Sequence, residues 1–417
     1  MSTSVATAAS QELEKLLIEI GKSLDIPSGL YVLATEEYER LAHFLEQCDE
    51  RHGRREPKIY PQGSIELGTA TKPVNPKDDV DVDLVYERYL QKSSTTQYQL
   101  KAESGEHLRD YLEFRKSFDR NGDLKLKEGA RCWTIEYPMQ FHMDVLPAIP
   151  DFDQRLENSD YSDTAIVITD RDAVAWQSSN PKGFAAWFRK RMQFRFDEIR
   201  RSKALNQLNL DGVAINERAI KSAADAIPHY EIKTPLQMAI QILKRHRDIR
   251  FQDNDDNRPA SIIITTLAAM SYDNEASLID ALFQLLREMP THIEDRVQNG
   301  KRIAWVQNPI NEDENFADRW QDKRHPLRET EFRNWLTSVT EELEEALRGG
   351  GIHRIIDLLG GSFGTELVNE SAKSLGFRVK ATSSAGGLSV AHGTGAMLIG
   401  TNTVATTPVR PHTFFGV

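Results

Sequence analysis

The sequence has few cysteines, no long apolar run and no excess of positive charge. Its 417 residues include only two cysteines, Cys48 and Cys132, which excludes a disulfide framework and a cysteine-rich zinc site. The longest apolar run, near SIIITTLAAM, is far shorter than the roughly 20 residues that span a bilayer, so we expect no membrane partner. Lys and Arg number 52 against 63 Asp and Glu, a net charge of −11. This balance argues against a protein that coats nucleic acid.

The start of the chain lacks the features of a secretion signal. The segment MSTSVATAASQELEKLL has neither a basic region nor an apolar stretch, so we expect no signal peptide and a location in the reducing cytoplasm. What the chain does have is the composition of a globular protein, with 39% hydrophobic and 28% charged residues. At roughly 150 residues per domain, its length predicts two or three domains.

The hydrophobic pattern changes near residue 182. Before that point, helical spacing predicts helices over 10–26 and 32–52, and alternation predicts strands over 79–87, 132–137 and 141–149. After it, helical patterns dominate, and Thr234 and Pro235 form a cap pair that opens one of the helices. We therefore predict an α+β chain that divides into three parts: a mixed sheet-and-helix core with N-terminal helices over 1–200, a helical lobe over 201–380, and a Gly/Thr-rich tail over 381–417.

One set of residues combines the features of a phosphate site and a metal site. Asp81 and Asp83 lie two residues apart on an alternating strand, so both carboxylates point to one face while the apolar residues between them face a core. Asp144, in the alternating segment FHMDVLP, can supply a third ligand across the sheet or act as the base on an attacking hydroxyl. Gly63 lets the backbone approach a phosphate, and Ser64 adds a hydroxyl and an N–H. Such a set fits two divalent cations bridged by carboxylates and substrate phosphates.

A solvated strand face is the alternative explanation of the acids. Three acids on one face of an edge strand also guard against aggregation, and Asp79 shares the face of Asp81 and Asp83. The acid pair could therefore be Asp79 and Asp81. The metal site is favoured over the solvated face because a Gly-Ser turn, an acid pair and a third acid in an apolar strand occur together.

These motifs resemble those of a known family. The run QGSIELGTATKPVNPKDDVDVDLVYE, with FHMDVLPAIPD downstream, is similar to the Gly-Ser, Asp-x-Asp and third-Asp pattern of the bacterial cGAS/DncV-like nucleotidyltransferases. These enzymes belong to the DNA polymerase beta-like superfamily. The block LKRHRDIRF followed by ASIIITTLAAMSY resembles the family's helical half, and the ending VRPHTFFGV resembles that of members in antiphage operons. The resemblance covers most of the chain.

The resemblance implies a role for each matched position. Ser64, next to Gly63, would hold the triphosphate of the donor nucleotide, and Lys244 and Ser261 match positions where the helical lobe contacts phosphates. Asp81 and Asp83 would bind both magnesium ions, and Asp144 would complete the metal site that activates the acceptor hydroxyl. The pair Asp81 and Asp83 is preferred to Asp79 and Asp81 because the family pair is followed directly by apolar strand residues.

The resemblance also implies a fold, a reaction and partners. The fold would be a polymerase beta-like core and a helical lobe with the active site in the cleft between them. The reaction would use two Mg²⁺ ions, with Mn²⁺ as a substitute, to make a cyclic di- or trinucleotide from NTPs, ATP among them, in antiphage defence. The tail, from about Thr401, would join an operon-encoded regulatory or conjugating protein. Two alternatives stay open: a template-independent enzyme that extends RNA ends, which needs a basic groove, and a non-catalytic signalling scaffold.

The basic run from Lys244 to Arg247 has its own interpretation. Four consecutive cationic or titratable side chains wrap around a helix, so only some of them can face one ligand. Lys244 lies one turn after Ile240 and can lean toward a cleft. The alternative is a solvated helix end, which the helix dipole favours because cations lie near a C-terminus.

Overall fold

The chain divides into two units. The structure, a computed structural model, describes residues 2–51, 53–75, 77–118, 124–138, 141–155, 160–170, 176–210, 217–227, 229–298, 300–348, 351–384, 388–391, 397–399 and 406–408. One unit is Leu24–Thr340, and the other combines Met1–Ser23 with Glu341–Val417. Among the described residues, no helix is both long and apolar enough to cross a membrane. The sequence-based boundaries near 200 and 380 stay predictions.

Thirteen α-helices lie within the described ranges. They are α1 (Ser2–Leu24), α2 (Ser28–Arg51), α3 (Gly63–Glu66), α4 (Gln97–Phe118), α5 (Phe152–Arg155), α6 (Pro181–Leu210), α7 (Glu217–Asp225), α8 (Pro235–Arg250), α9 (Ser261–Ser271), α10 (Leu278–Glu288), α11 (Arg328–Arg348), α12 (Ile352–Phe363) and α13 (Thr365–Ser384).

Fourteen strands lie within the same ranges. They are β1 (Lys58–Pro61), β2 (Val80–Glu87), β3 (Lys125–Glu128), β4 (Trp133–Tyr137), β5 (Phe141–Pro150), β6 (Ile166–Ile168), β7 (Gln177–Ser179), β8 (Glu294–Gln298), β9 (Lys301–Trp305), β10 (Gln307–Asn308), β11 (Asn311–Asn315), β12 (Leu388–Ala391), β13 (Met397–Ile399) and β14 (Thr406–Pro408). The predicted strands over 79–87, 132–137 and 141–149 are confirmed as β2, β4 and β5.

A seven-stranded mixed sheet forms the framework of the unit Leu24–Thr340. Its strand order is β1-β2-β5-β4-β3. The end of β5 also pairs with β6, and β6 pairs with β7. Strands β2 and β5 pair in parallel, whereas their other neighbours pair antiparallel. With helices packed on this sheet and a largely helical second half, the α+β class is confirmed.

The first side chains of β2 alternate between a buried face and a face that is open to solvent. Val80, Val82 and Leu84 are buried, whereas Asp81 is exposed and Asp83 is partly exposed. The buried side chains join a core with apolar residues from two helices, namely Leu41, Phe44 and Leu45 of α2 and Leu108, Tyr111 and Leu112 of α4. Burial of this face fixes the register, because a slip of one residue would turn the acids into the core.

The second half of the same unit is mostly helical, as predicted, apart from two small antiparallel sheets, β8-β9 and β10-β11. Thr234 caps α8 and Pro235 is its first residue, which confirms the predicted cap pair. The antiparallel pair β8 and β9 is a two-stranded sheet that the sequence pattern did not predict. Most of its side chains are exposed, so it shows no apolar alternation from which it could be found.

The other unit is built from both ends of the chain. Leu13, Leu16, Leu17 and Ile20 of α1 are buried, and Ser374 of α13 donates a 2.9 Å hydrogen bond to Glu19. Within the predicted tail, α13 reaches Ser384, and β12 pairs antiparallel with both β13 and β14. These pairings give part of the Gly/Thr-rich segment a local strand structure. The rest of the predicted tail lies outside the described residues.

Candidate active site

The pairing of β2 with β5 brings three predicted acids to one face. In the parallel ladder Asp83 is opposite Asp144, and Asp81 is opposite His142. Because side chains alternate along a strand, Asp81 and Asp83 share the face of their partners on β5. Asp79 precedes β2 and is exposed. The sheet thus places the two carboxylates that lie two residues apart in sequence beside a third that comes about sixty residues later.

The turn after β1 places Gly63 against Asp83. The β1–β2 ladder ends with Pro61 opposite Leu84, and the next residue, Gln62, donates its N–H to the Asp83 carbonyl oxygen at 2.8 Å. Gly63 has a φ of 62°, and a Cβ added there would lie 2.2 Å from Asp83 Oδ2. Both the left-handed backbone and the close carboxylate therefore require glycine. Ser64 follows at the start of α3 and lines one cleft together with Asp81 and Asp83.

His142 and Thr134 are among the side chains that contact these acids. His142 Nε2 lies 3.4 Å from Asp81 Oδ1, and Thr134 on β4 donates its hydroxyl to Asp144 Oδ1. Three possible metal-ligand atoms lie within 4.8 Å of one another, one each from Asp81, His142 and Asp144. The sequence signal for His142 was its place on the same strand face as Asp144. Thr134 carried no signal, because its role depends on the β4–β5 register.

The electrostatics of the cluster are those of crowded like charges. Burial, together with the nearby Asp81 and Asp144 carboxylates, raises the pKa of Asp83 to about 8. The hydrogen bond with Asp81 raises the pKa of His142 above its usual value. Burial is the main cause of the Asp83 shift, and the nearby negative charge contributes to both shifts. Oxygen-rich clusters of this kind suit Mg²⁺ and Mn²⁺, and the residues present therefore fit a divalent cation.

A cleft of about 1060 Å³ joins the acids to the helical half of the unit. It is lined by six of the predicted site residues, namely Gly63, Ser64, Asp81, Asp83, Lys244 and Ser261. Asp144 adjoins the cleft through Asp83, its register partner. A second cleft of about 780 Å³, lined in part by Tyr161, Asn180 and Trp187, contains none of the predicted residues.

Lys244 lines the cleft, although its side chain is almost fully buried. Its Nζ donates to the carbonyl oxygen and hydroxyl of Thr69, at 3.1 and 3.2 Å. Burial, and then the neighbouring Arg247, lower its pKa to about 7, while Asp248 and Asp83 oppose the shift. All four residues 244–247 are buried. The alternative of a solvated helix end is therefore wrong for this run.

Ser261 lies at the open side of the cleft. It is the first residue of α9 and is exposed, and Arg247 donates to its hydroxyl at 2.8 Å and to the Pro259 carbonyl oxygen at 3.1 Å. The N-cap residue of α9, Ala260, makes no side-chain capping hydrogen bond. An uncapped helix N-terminus leaves N–H groups for an anion, and an adjacent guanidinium adds charge.

Residues 57–147 match a described nucleotidyltransferase family. The family "Cyclic GMP-AMP synthase DncV-like, nucleotidyltransferase domain" matches residues 57–147, a range that contains the Gly63-Ser64 turn and all three acids of the cluster. Over its full length, the chain is 27% identical to a c-di-GMP synthase from Roseivirga ehrenbergii across 412 residues, 99% of both chains.

Two further relatives extend the similarity. The chain is 25% identical over 370 residues to the cyclic dinucleotide synthase CdnG from Bradyrhizobium diazoefficiens, covering 88% of this chain and 84% of the relative. The solved structure of that CdnG with GTP has a TM-score of 0.66 at 23% identity, over 87% of this chain and 99% of the other. The E. coli MS115-1 CdnC:HORMA-deltaN complex shares the fold, with a TM-score of 0.55 at 14% identity over 84% of this chain and 97% of that one.

Proposed function

Because the chain belongs to the bacterial cGAS/DncV-like nucleotidyltransferases, we propose that it makes a cyclic dinucleotide second messenger from NTPs with Mg²⁺. The names of two relatives, a c-di-GMP synthase and a cyclic dinucleotide synthase, favour a dinucleotide over the trinucleotide that the sequence left open. They also favour GTP as a substrate, beside or in place of the expected ATP. We extend the proposal to antiphage signalling, on the resemblance of the chain to members in antiphage operons.

The observation that carries the proposal is the acid cluster in the cleft. Asp81, Asp83 and Asp144 meet on one face, and Gly63, the residue before Ser64, lies against the Asp83 carboxylate. In the proposed site, Asp81 and Asp83 hold the cations and Asp144 completes the site on the side of the acceptor hydroxyl. Divalent cations bound there would lower the pKa of that hydroxyl and neutralise charge on the leaving pyrophosphate.

The triphosphate is proposed to bind between the Gly63-Ser64 turn and the N-terminus of α9. Ser64 donates its hydroxyl to a phosphate oxygen, and the N-terminus of α9 at Ser261, together with Arg247, supplies further donors. Lys244 donates to the carbonyl oxygen and hydroxyl of Thr69, so it acts on the triphosphate through its charge and through the position of Thr69. Together these groups orient the donor phosphate toward the acceptor.

We also propose a protein partner for this chain. The CdnC relative forms a complex with a HORMA protein, which supports a regulatory protein as a partner class for this chain. The tail from about Thr401 stays our candidate for such a contact or for conjugation.

The test is product identification. The purified chain is incubated with each mixture of the four labelled NTPs and Mg²⁺, and products are identified by mass. We expect a cyclic dinucleotide that contains guanine, and no product from the Asp81→Asn, Asp83→Asn double variant. Addition of nucleotides to a supplied RNA would support the RNA-end alternative instead, and the absence of any product in all mixtures would contradict catalysis.

A further inference from the structure

Side chains of α8 and of the residue before its cap hold a strap, residues 67–73, by its backbone. This strap follows α3 and therefore Ser64. Each bond is donated to a strap carbonyl oxygen: Gln237 to Leu67 at 2.9 Å, Lys233 to Gly68 at 3.0 Å, Lys244 to Thr69 at 3.1 Å, Gln241 to Ala70 at 2.7 Å, and Arg245 to Lys72 at 2.8 Å and Pro73 at 3.2 Å.

The strap also forms backbone hydrogen bonds with Gly63 and Ser64. Leu67 donates its N–H to the Gly63 carbonyl oxygen at 3.2 Å, and Thr69 donates to that of Ser64 at 2.9 Å. A displacement of Leu67 or Thr69 therefore moves the backbone that carries the Ser64 hydroxyl. Because α3 has only four residues, it makes few hydrogen bonds of its own, and the strap contacts fix its position.

Gln237 stands out because one amide serves two purposes. Its Oε1 accepts from the Thr234 N–H at 3.0 Å and so completes the capping box of α8. Its Nε2 donates to Leu67, although a cap needs no such donor. Gly68 has a φ of 65°, and a Cβ there would lie 2.5 Å from this nitrogen. The strap therefore lies closer to Gln237 than any residue other than glycine would allow.

We propose that Gln237 is a positioning residue for nucleotide binding, which sets the Gly63-Ser64 turn for the triphosphate through its hydrogen bond to Leu67. The inference rests on the proposed function, since it needs a nucleotide at Ser64. It assigns the buried amide a role beyond the cap, because the bond to Leu67 joins the helical half of the unit to the phosphate-binding turn.

The experiment separates the two roles of the amide. Gln237→Glu keeps the acceptor that completes the capping box and removes the donor to Leu67. Thr234→Ala weakens the cap and keeps that donor. The affinity of the full chain for a non-hydrolysable NTP with Mg²⁺ and its thermal midpoint are measured for both variants and for wild type. We expect Gln237→Glu to weaken nucleotide binding about fivefold or more, the worth of one neutral hydrogen bond. We expect Thr234→Ala to lower the midpoint while its affinity stays within about twofold of wild type, since loss of a cap costs stability alone.

Gly68→Ala provides a second variant should Gln237→Glu fail to fold. It crowds the contact between the strap and the Gln237 amide and leaves the residues of the capping box unchanged, so it should also weaken nucleotide binding. Wild-type affinity in Gln237→Glu, or in Gly68→Ala if that is the variant that folds, would overturn the role of Gln237. An equal loss of affinity in Thr234→Ala would also overturn it, since loosening of α8 would then explain both. A wild-type chain that binds no NTP would instead overturn the proposed function.

Discussion

Two charged regions face each other across the cleft, and they are organised in opposite ways. On α8, Lys244, Arg245 and Arg247 are buried and donate to oxygen atoms of the protein. On the sheet, Asp81, Asp83 and Asp144 lie close together, and burial and mutual repulsion raise the pKa of Asp83. The cations are satisfied within the fold, whereas the acids are crowded by like charge.

The two regions therefore differ in role. The cations of α8 stabilise the fold, whereas the acids of the sheet are suited to bind a cation. A buried charge whose donors are satisfied stabilises its surroundings, and its loss leaves partner groups unpaired. A cluster of like charges is unfavourable until a cation neutralises it. Changes on the sheet should therefore affect chemistry and cation binding, whereas changes around α8 should affect the position of the strap.

The largest expected effect is that of removing the acid pair. Asp81→Asn with Asp83→Asn should lower pyrophosphate release from NTPs at least about a thousandfold, because ligands that contribute several kcal/mol of transition-state stabilisation are lost. The fold should persist, since the change removes like charge. Asp79→Asn serves as the matched control and should keep nearly full activity. An inactive Asp79→Asn would mean that Asp79 and Asp81 form the pair.

A smaller effect is expected for Ser64→Ala. One hydrogen bond to a charged phosphate is worth roughly 1.5–3 kcal/mol, so the use of NTPs, measured as kcat/KM, should fall about 10- to 150-fold. The backbone N–H groups remain in this variant. A loss as complete as that of the aspartate double variant would show that Ser64 has a further role in the reaction.

His142→Ala should lower the affinity for Mn²⁺ about tenfold, the usual effect of a side chain that orients a metal ligand. The physical reason is its contact with Asp81 Oδ1 at 3.4 Å. Metal affinity is measured by electron paramagnetic resonance without catalysis. His43→Ala on α2, an exposed histidine outside the cleft, is the control. Equal affinity in both variants would leave His142 as a neighbour that makes no contribution.

Asp83→Asn should raise the thermal stability of the metal-free chain, and more at pH 8 than at pH 5. The pKa of Asp83 is raised to about 8 in the folded chain, against about 4 in an unfolded one. Between these values the folded chain holds a proton that the unfolded chain has lost, so the free energy of unfolding falls as pH rises. The amide removes this dependence. A gain of 1 kcal/mol corresponds to roughly 2–4 °C. A lower midpoint for the variant at pH 8 would contradict the crowding of the acids.

The smallest effect is expected from truncation after Gly400. This change removes the tail that we propose as a contact for other proteins, and cyclic dinucleotide synthesis should stay within about twofold of wild type. Loss of both synthesis and thermal stability would show that the tail is part of the fold, for instance through the pairing of β14 with β12.

The acid side of the cleft could be predicted from the sequence, whereas most of the α8 side could not. The alternation around Asp81 and Asp83 is a local pattern with period two, and the Gly63-Ser64 turn and the apolar segment around Asp144 are local as well. The resemblance to the nucleotidyltransferase family then indicated that these motifs belong to one site. Gln237 gave no such signal, because its bond to Leu67 joins residues 170 positions apart. The burial of residues 244–247 was also missed, since a basic run favours solvent unless tertiary structure supplies acceptors.

The central claim is that the acids of β2 and β5 form the metal centre of the enzyme. The number of Mn²⁺ ions bound per chain with a non-hydrolysable NTP tests it most directly, measured at equilibrium for wild type, Asp79→Asn and the Asp81→Asn, Asp83→Asn double variant. We predict about two ions for wild type and Asp79→Asn, as in two-metal sites, and none at comparable affinity for the double variant. The same number of ions in the double variant as in wild type would contradict the account.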